Sequence, residues 1–442
     1  MNEHVDMNST AGHKQDREVA VVGGGLAGLV AAITAANEGA SVTLFEGSST
    51  LGGRAHTTTH KGFHINMGPH ALYVAGAARR ILASLGVDAV GAMPILEGSS
   101  AIFQGKSYLM PLSMKSILLS RFLRLRDKIE VMGFYRKLPE LDPADYRYVT
   151  QKEFVHSLCG RARSRHFVNA MCRLGTYSNA PDLLSADVVI SQFKIGMSGV
   201  LYLDKGWQTL VDALADKARA VGVKIVLGEK VKAFSPVKGG VSLSLNSQAA
   251  TGFDASILCV PPKVAAALSG QGACLATVAD EAVTVRAACL ELALDGLPDP
   301  QASFALGMDE ATYFSVHSNT AELAPAGGAL IQAAIYLGPN DEIGQNTRSQ
   351  IEALVSKMQP GWQNHTVHEI YRPQAQVCHM LPLAQKGGLK GRPKTQMSEN
   401  IYIAGDWVGE EGLLSDAAVA SAHLAGKQAA GTVELKRQKV AS

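Results

Sequence analysis

The run "EVAVVGGGLAGLVAAITAANEGASVTLFE", Glu18 to Glu46, constrains this chain more than any other stretch. It reads as a short apolar strand, a glycine turn, a helix of small residues and a second strand. Gly23, Gly25 and Gly28 fall in the spacing GxGxxG, and Glu46 ends the second strand. Gly23 permits the tight turn. Gly25 lets backbone approach a pyrophosphate, and Gly28 lets helix and strand pack closely. The helix N-terminus offers N–H groups and partial positive charge to phosphates, and Glu46 can accept hydrogen bonds from a ribose. The unit predicts a dinucleotide site. Val19 to Ala36 lacks charge, as a membrane span would, but Gly23, Gly24, Gly25 and Gly28 break it and it is short for a span.

Two further segments say which dinucleotide. "LGGR", Leu51 to Arg54, follows Glu46 closely. Its glycine pair lets a loop run beside an extended cofactor, and Arg54 supplies charge near the pyrophosphate, which a simple nicotinamide enzyme has no need of. "IYIAGDW", Ile401 to Trp407, is a buried strand stopped at Gly405-Asp406, followed by the helical "LLSDAAVASAHLAGKQAA". Asp406 is placed to accept hydrogen bonds from a ribityl chain or to orient a phosphate-bound water. A helix beginning near Leu414 would aim free N–H groups and its dipole at the flavin, worth roughly 0.3–2 kcal/mol to a reduced ring. Ala417, Ala418, Ala420 and Ala422 keep that helix slim.

The chain has 442 residues, more than one ordinary domain holds. Hydrophobic residues make up 47% and charged residues 18%, which suits a well-buried soluble protein. The net charge of +2 points to no nucleic-acid partner. Six scattered cysteines without a CxxC pair read as reduced thiols of a cytoplasmic protein. The polar start, "MNEHVDMNSTAGHKQDRE", is not a signal peptide and is expected to fray. A helix is expected at about Ala75 to Leu85, and mostly helix from Ser113 to Arg173. "GVLYLDKGW" then re-enters the first pattern, and "FDASILCVPP" is another buried strand. "CLELAL", "TYFSVH" and "ALIQAAIYL" suggest a separate sheet. The expected fold class is α/β. A discontinuous Rossmann-like FAD-binding domain would occupy 17–75, 201–268 and 398–434. An inserted substrate domain of mixed β-sheet plus helices would occupy 76–200 and 269–397.

"VVGGGLAGLVAA…VTLFE", "LGGRAHT", "GFHINMGPH", "GVLYLDKGWQTLVDAL", "GEKV", "ILCVPP" and "IYIAGDW…SDAAVASAHLAG" together resemble the flavin amine oxidase superfamily, most of all its phytoene desaturase and protoporphyrinogen oxidase branch. The resemblance spans nearly the whole chain. It implies FAD bound along Gly23, Gly25, Leu26, Ala27, Gly28, Glu46, Gly53, Arg54, Gly405, Asp406, Leu414 and Ser415, with Val231 beside the adenine through its backbone. Met67, Gly68, Pro69 and His70 would lie near the isoalloxazine ring. It also implies a helical part that can contact membrane. The chain departs from the amine-oxidizing members at "QAQVCHMLPLAQKGGL", which has no Trp or Tyr where one flanks the flavin. Cys378 lies in a context unlike a flavin-tethering motif, so noncovalent FAD is expected.

His56, His60, His64 and His70 alternate over two faces of extended segments, with no carboxylate or thiol to complete a shell, so no metal is expected. His70 is a candidate lining residue beside the flavin, and the catalytic residues are not assigned. "SMKSILLSRFLRLRDKIEVMGFYRKL", Ser113 to Leu138, is apolar and basic; it suits either peripheral contact with an anionic membrane or packing onto the protein. The expected activity is removal of hydride from carbon of an apolar substrate, of polyene or terpenoid type, by an FAD-dependent oxidoreductase. One alternative is oxidation at a C–N bond or a porphyrinogen ring. Another is an FAD-binding isomerase or a lipid-escort protein without net redox turnover. The electron acceptor is left open.

Overall fold

The computed structural model describes residues 17–431, apart from 97, 248–249, 271–272 and 343. The start of the polar N-terminal stretch and residues 432–434 of the last expected segment lie outside the described residues.

The opening motif folds as β1 (Glu18–Val22), α1 (Leu26–Asn37) and β2 (Ser41–Glu46). The same sheet collects β3 (Lys224–Leu227), β4 (Ala255–Leu258), β5 (Gln396–Ser398) and β6 (Ile401–Ile403). Its order is β3-β2-β1-β4-β6-β5, parallel except for the β5 edge. The chain leaves β1 towards β2 and β3 and returns on the other side at β4. The switch point therefore lies beside β1, where α/β sheets bind their ligands. Alternation along β1 splits its side chains between two cores. Val19 and Val21 face α1, α2 (Gln208–Ala220) and α3 (Ser415–Ala429). Ala20 and Val22 face a small antiparallel sheet of Val231–Val237, Gly240–Leu245 and Thr251–Phe253.

Small residues set how closely α1 and α3 approach. A Cβ on Gly426 would stand 2.7 Å from the Ala31 carbonyl oxygen. The alanines of α3 at 417, 418, 420 and 422 are all buried, as slimness requires.

The second body is a seven-stranded sheet, ordered 366–378, 285–294, 329–337, 312–316, 304–307, 100–103 and 106–109. It is antiparallel except where Phe304–Gly307 meets Ser100–Phe103. The three β-rich runs of the sequence are its middle, but the outer strands at 100–109 and 366–378 come from far away in the chain. One face carries helix Gln345–Met358. The other meets a helical layer that includes Leu125–Lys137, Ala162–Thr176 and Ala186–Gly196. "GVLYLDKGW" supplies strand Val200–Leu203, which pairs with Leu72–Tyr73 and Gly91–Ala92; the chain rejoins the six-stranded sheet only at Lys224.

Gly426→Ala tests the close approach of α1 and α3. An alanine in a helix interior is ordinarily favourable by about 1 kcal/mol over glycine. Here its Cβ meets backbone that cannot step aside, so a net loss of about 1–2 kcal/mol in urea unfolding is expected.

Candidate functional site

The glycine turn sits at the carboxyl end of β1. Gly23 has φ +106°, and a Cβ there would stand 2.5 Å from the Cys259 carbonyl oxygen of the neighbouring strand end. A Cβ on Gly28 would collide with the Gly23 carbonyl. Gly25, the N-cap of α1, is different: a Cβ there would meet only the Gly52 carbonyl, at 3.8 Å. Gly53 is similarly open, facing Gly25 Cα at 3.6 Å. "LGGR" therefore lies against the first turn, fixed by the Gly52 N–H donating to the Gly24 carbonyl at 2.9 Å. Polypeptide closes the outer glycines, whereas Gly25 and Gly53 leave backbone bare. That fits a pyrophosphate, with Leu26 and Ala27 in the first turn of the helix beneath it.

Glu46 is anchored where a ribose would meet it. Its carboxylate accepts the Gly24 N–H at 2.6 Å and the Ser48 N–H at 2.8 Å, which orients the remaining lone pairs. The turn before Val231 docks on the same strand end, with the Glu229 N–H donating to the Glu46 carbonyl at 3.0 Å. Val231 itself is buried, two residues beyond that contact.

Arg54 and Asp406 meet. Their Nη2 and Oδ2 atoms are 2.8 Å apart. Arg54 also donates to the Val377 carbonyl at 2.8 Å, and its Nη2 lies 3.0 Å from His379 Nδ1. His379 Nδ1 is in turn 2.8 Å from Asp406 Oδ1, and the His379 N–H donates to Oδ2 at 3.2 Å. Burial alone would raise the Asp406 pKa, but Arg54 first and His379 next hold it well below the usual carboxylate range. Burial works against the Arg54 charge, and Asp406 outweighs it, raising the Arg54 pKa. Neither side chain is a bare surface charge; each is half of a pair.

His379 and Arg392 are partners of Asp406 that the sequence reading missed. Arg392 is buried and donates to the carbonyls of Asp406 at 3.1 Å and Gly412 at 2.9 Å, tying the Gly-Asp turn to the loop before α3. In the sequence the stretch holding His379 carries no motif beyond Cys378. That thiol is buried, pushed up to about 12 by burial first and by Asp406, and lies 3.8 Å from the Asp406 carbonyl.

Gly405 accepts from and donates to Ser421 Oγ on α3, both at 3.0 Å. Leu414 precedes Ser415 with φ 56° and ψ −126°, a conformation rare outside glycine. The expectation of free N–H groups at this helix start needs correcting at two positions. The amides of Asp416 and Ala417 bond back to the Leu413 carbonyl, because the chain tightens as it enters the helix. Asp416, pushed up to about 6 by burial, accepts the Ala78 N–H at 2.7 Å.

The loop at Met67 to His70 closes the other side. Met67 is exposed and Gly68, at φ +89°, is buried. Pro69 is half-buried. His70 lies 2.9 Å from the Gly68 carbonyl, reaches the Arg54 backbone and stands edge-on to Trp207 at 5.3 Å. Burial lowers its pKa, which favours the neutral ring. The Gly68 N–H donates to Glu291, which also meets Arg372 at 3.2 Å. The remaining histidines of the cluster go elsewhere: His56 to Gln208, His60 onto His368 and His64 to Thr59.

A glycine turn at a sheet switch point, a carboxylate at the next strand end and a partly buried Arg–Asp pair from opposite ends of the chain fit a flavoprotein of the dinucleotide-binding α/β type. The chain belongs to the flavin containing amine oxidoreductase family, whose sequence model matches residues 26–433. Membership makes a flavin the expected cofactor and oxidation–reduction the expected chemistry. A coproporphyrinogen III oxidase of Propionibacterium freudenreichii is 31% identical over 188 residues, 39% of this chain and 34% of that protein. A carotenoid 3,4-desaturase of Haloarcula japonica is 42% identical over 71 residues, 16% of this chain and 14% of that protein. The matched stretches thus span about a third of the first relative's length and less of the second. Putrescine oxidase shares the fold, with TM-score 0.74 and 16% identity over 93% of this chain and 98% of that one.

Asp406→Asn should destabilise the protein by about 1–3 kcal/mol at pH 7, less than a fully buried pair because Arg54 is half exposed. Asp406 has a depressed folded pKa. Its contribution is therefore present above the unfolded value of about 3.9 and lost only as pH falls below that, towards the folded value. The difference in melting temperature between wild type and variant should hold from pH 7 to about 5 and shrink in stronger acid. A constant difference down to acid unfolding would contradict the pairing.

Proposed function

We propose that this protein holds FAD noncovalently and removes hydride from one carbon of an apolar substrate, of polyene or terpenoid type, drawn from a membrane surface, while the adjacent carbon loses a proton to water and a new C=C bond forms. When bound, the flavin supplies the acceptor for the hydride. The chain's own residues bind and orient. Gly25, Gly53 and the start of α1 would hold the pyrophosphate, Glu46 the ribose, and the Arg54–Asp406 pair the ribityl–phosphate part. Gly68 and His70 would line the ring. Two features support a noncovalent mode: Cys378 is buried beside the site, and its raised pKa keeps it from acting as a nucleophilic thiolate.

The observation that carries the substrate reading lies on two short helices, Met114–Leu119 and Leu125–Lys137. Ile117, Phe122, Leu123, Val131 and Phe134 anchor them to the protein. A second apolar set does not pack: Met114, Leu118, Leu119, Leu125 and Ile129 are between 58% and 76% exposed. Lys115, Arg121, Arg124 and Arg126 stand exposed among them. Apolar tips with interleaved cations match an anionic bilayer surface, where tips enter and charges meet headgroups. Among the described residues no helix is long and apolar enough to cross a membrane, so contact would be peripheral. Similarity to a carotenoid desaturase agrees with such a substrate. Similarity to a coproporphyrinogen oxidase keeps ring-carbon oxidation as a second reading.

Anaerobic mixing tests the chemistry. An isoprenoid polyene should bleach the flavin absorbance in stoichiometric turnover, and acid precipitation of the same sample should release free FAD. Bleaching by coproporphyrinogen or by an amine alone would sink the desaturase reading, and colour kept in the pellet would sink noncovalent binding.

The membrane face has its own test. The holoprotein should sediment with phosphatidylserine vesicles and be partly released by salt. Changing Arg121, Arg124 and Arg126 to Glu should cut binding at least tenfold at unchanged flavin content, each charge near the surface being worth about 1 kcal/mol.

A further inference from the structure

The seven-stranded sheet presents a polar row on the face opposite helix Gln345–Met358. Register places Glu291, Gln332 and Ser315 opposite one another on three adjacent strands. Their sequence neighbours Leu290, Leu292, Ile331, Ala333, Phe314 and Val316 pack on the helix side. The row therefore points the other way. Glu291 accepts the Gly68 N–H there, and Ser315 Oγ lies 3.4 Å from the Tyr202 hydroxyl. The row thus reaches the loop that lines the flavin ring in the reading above.

Gln332, at its centre, is 0% exposed. Neither its amide oxygen nor its amide nitrogen has a hydrogen-bond partner among the described residues. Further along the same strand, the Tyr336 hydroxyl is also buried without one. Folded proteins rarely leave both halves of a buried amide unpaired, because each half has given up water for nothing. Leucine would fill similar space without that cost. A partner from outside the polypeptide would meet that demand: a buried water, the cofactor or the substrate.

Its chemistry follows from the neighbours. An amide offers one donor side and one acceptor side. A hydroxyl answers both at once. A carboxylate would be repelled by Glu291. An ammonium would find Glu291 already engaged by Arg372 and the Gly68 N–H.

We infer that Gln332, flanked by Glu291 and Ser315, binds a hydroxyl group carried by an otherwise apolar substrate. The inference rests on the proposed function, since it names the one polar feature of that substrate. It makes Gln332 a specificity-determining residue whose worth shows only when the hydroxyl is present.

The test compares geranylgeraniol, the corresponding amine and the corresponding hydrocarbon, each titrated anaerobically into the holoprotein. Binding is followed by flavin fluorescence and reaction by bleaching. The alcohol should bind at least tenfold tighter than the hydrocarbon. Gln332→Leu should abolish that preference, leave hydrocarbon binding unchanged, and keep or raise the ligand-free melting temperature. Gln332→Met serves if the leucine variant does not fold. A preference that survives in Gln332→Leu overturns the inference, as does an amine bound best. So does a wild type that binds alcohol and hydrocarbon equally, the outcome expected if a buried water satisfies the amide. If the hydrocarbon still bleaches the flavin in that last case, the proposed function stands and only the hydroxyl assignment falls. If no probe binds, both fall.

Discussion

The carboxylate of Asp406 has to be paired. It is 2% exposed, and a lone carboxylate in that position would not stay charged. Arg54 and His379 hold it ionised at 2.8 Å each. In doing so they join three distant pieces of chain: the loop after β2, the end of strand Thr366–Cys378 and the turn after β6. Arg392 adds a fourth by bonding the carbonyls of Asp406 and Gly412. The seven-stranded sheet is thereby tied to the six-stranded one at the place where a flavin would cross between them. The strand that supplies His379 runs beside Val285–Leu294, the strand that carries Glu291. One electrostatic cluster therefore fixes the cofactor loops and aligns the floor of the neighbouring sheet.

That floor differs from the rest of the sheet. Its other face is a dry layer of Leu, Ile, Val and Phe against a helix. The site-side face instead carries Glu291, Gln332, Ser315 and Tyr313, with His317 3.0 Å from the Tyr313 hydroxyl and stacked on Tyr202 at 3.9 Å. Burial pushes the Glu291 acid up to about 7 against the pull of Arg372 beside it, and the His317 ring down to about 3, which favours the neutral imidazole. Buried polar groups at this density add little to stability. Of these only Glu291 meets Gly68, through its N–H.

Much of the cofactor site was legible along the chain. GxGxxG, Glu46, "LGGR" and the Gly-Asp turn each occupy a few consecutive residues, and their demands are local: a positive φ, an open backbone face, a strand that ends on a carboxylate. Gly23 and Gly53 do have φ of +106° and +54°. Pairing across the fold was not legible in the same way. Arg54 reads as a charge near a phosphate, but Val377, which accepts its hydrogen bond, is 323 residues away. His379 carries no motif, so only proximity gives it a role. In the same way the apolar and basic run at Ser113 to Leu138 could be read, and its residues could not be sorted. The structure buries Ile117, Val131 and Phe134 and leaves Leu118, Leu125 and Ile129 outside.

By itself, then, the sequence determined the backbone conformations at the cofactor and the family to which the chain belongs, because glycine spacing and strand-ending carboxylates act over a few bonds. Tertiary structure alone decided which charges pair, which face of each strand is wet by the site, and which apolar residues lack a cover. In "ALIQAAIYL" every residue but Gln332 is apolar or aromatic, as a buried strand requires. The alternation of period two places Gln332 on one face and Ile331 on the other. Which of those faces meets Gly68 and which meets a helix is set by neighbouring strands drawn from distant parts of the chain.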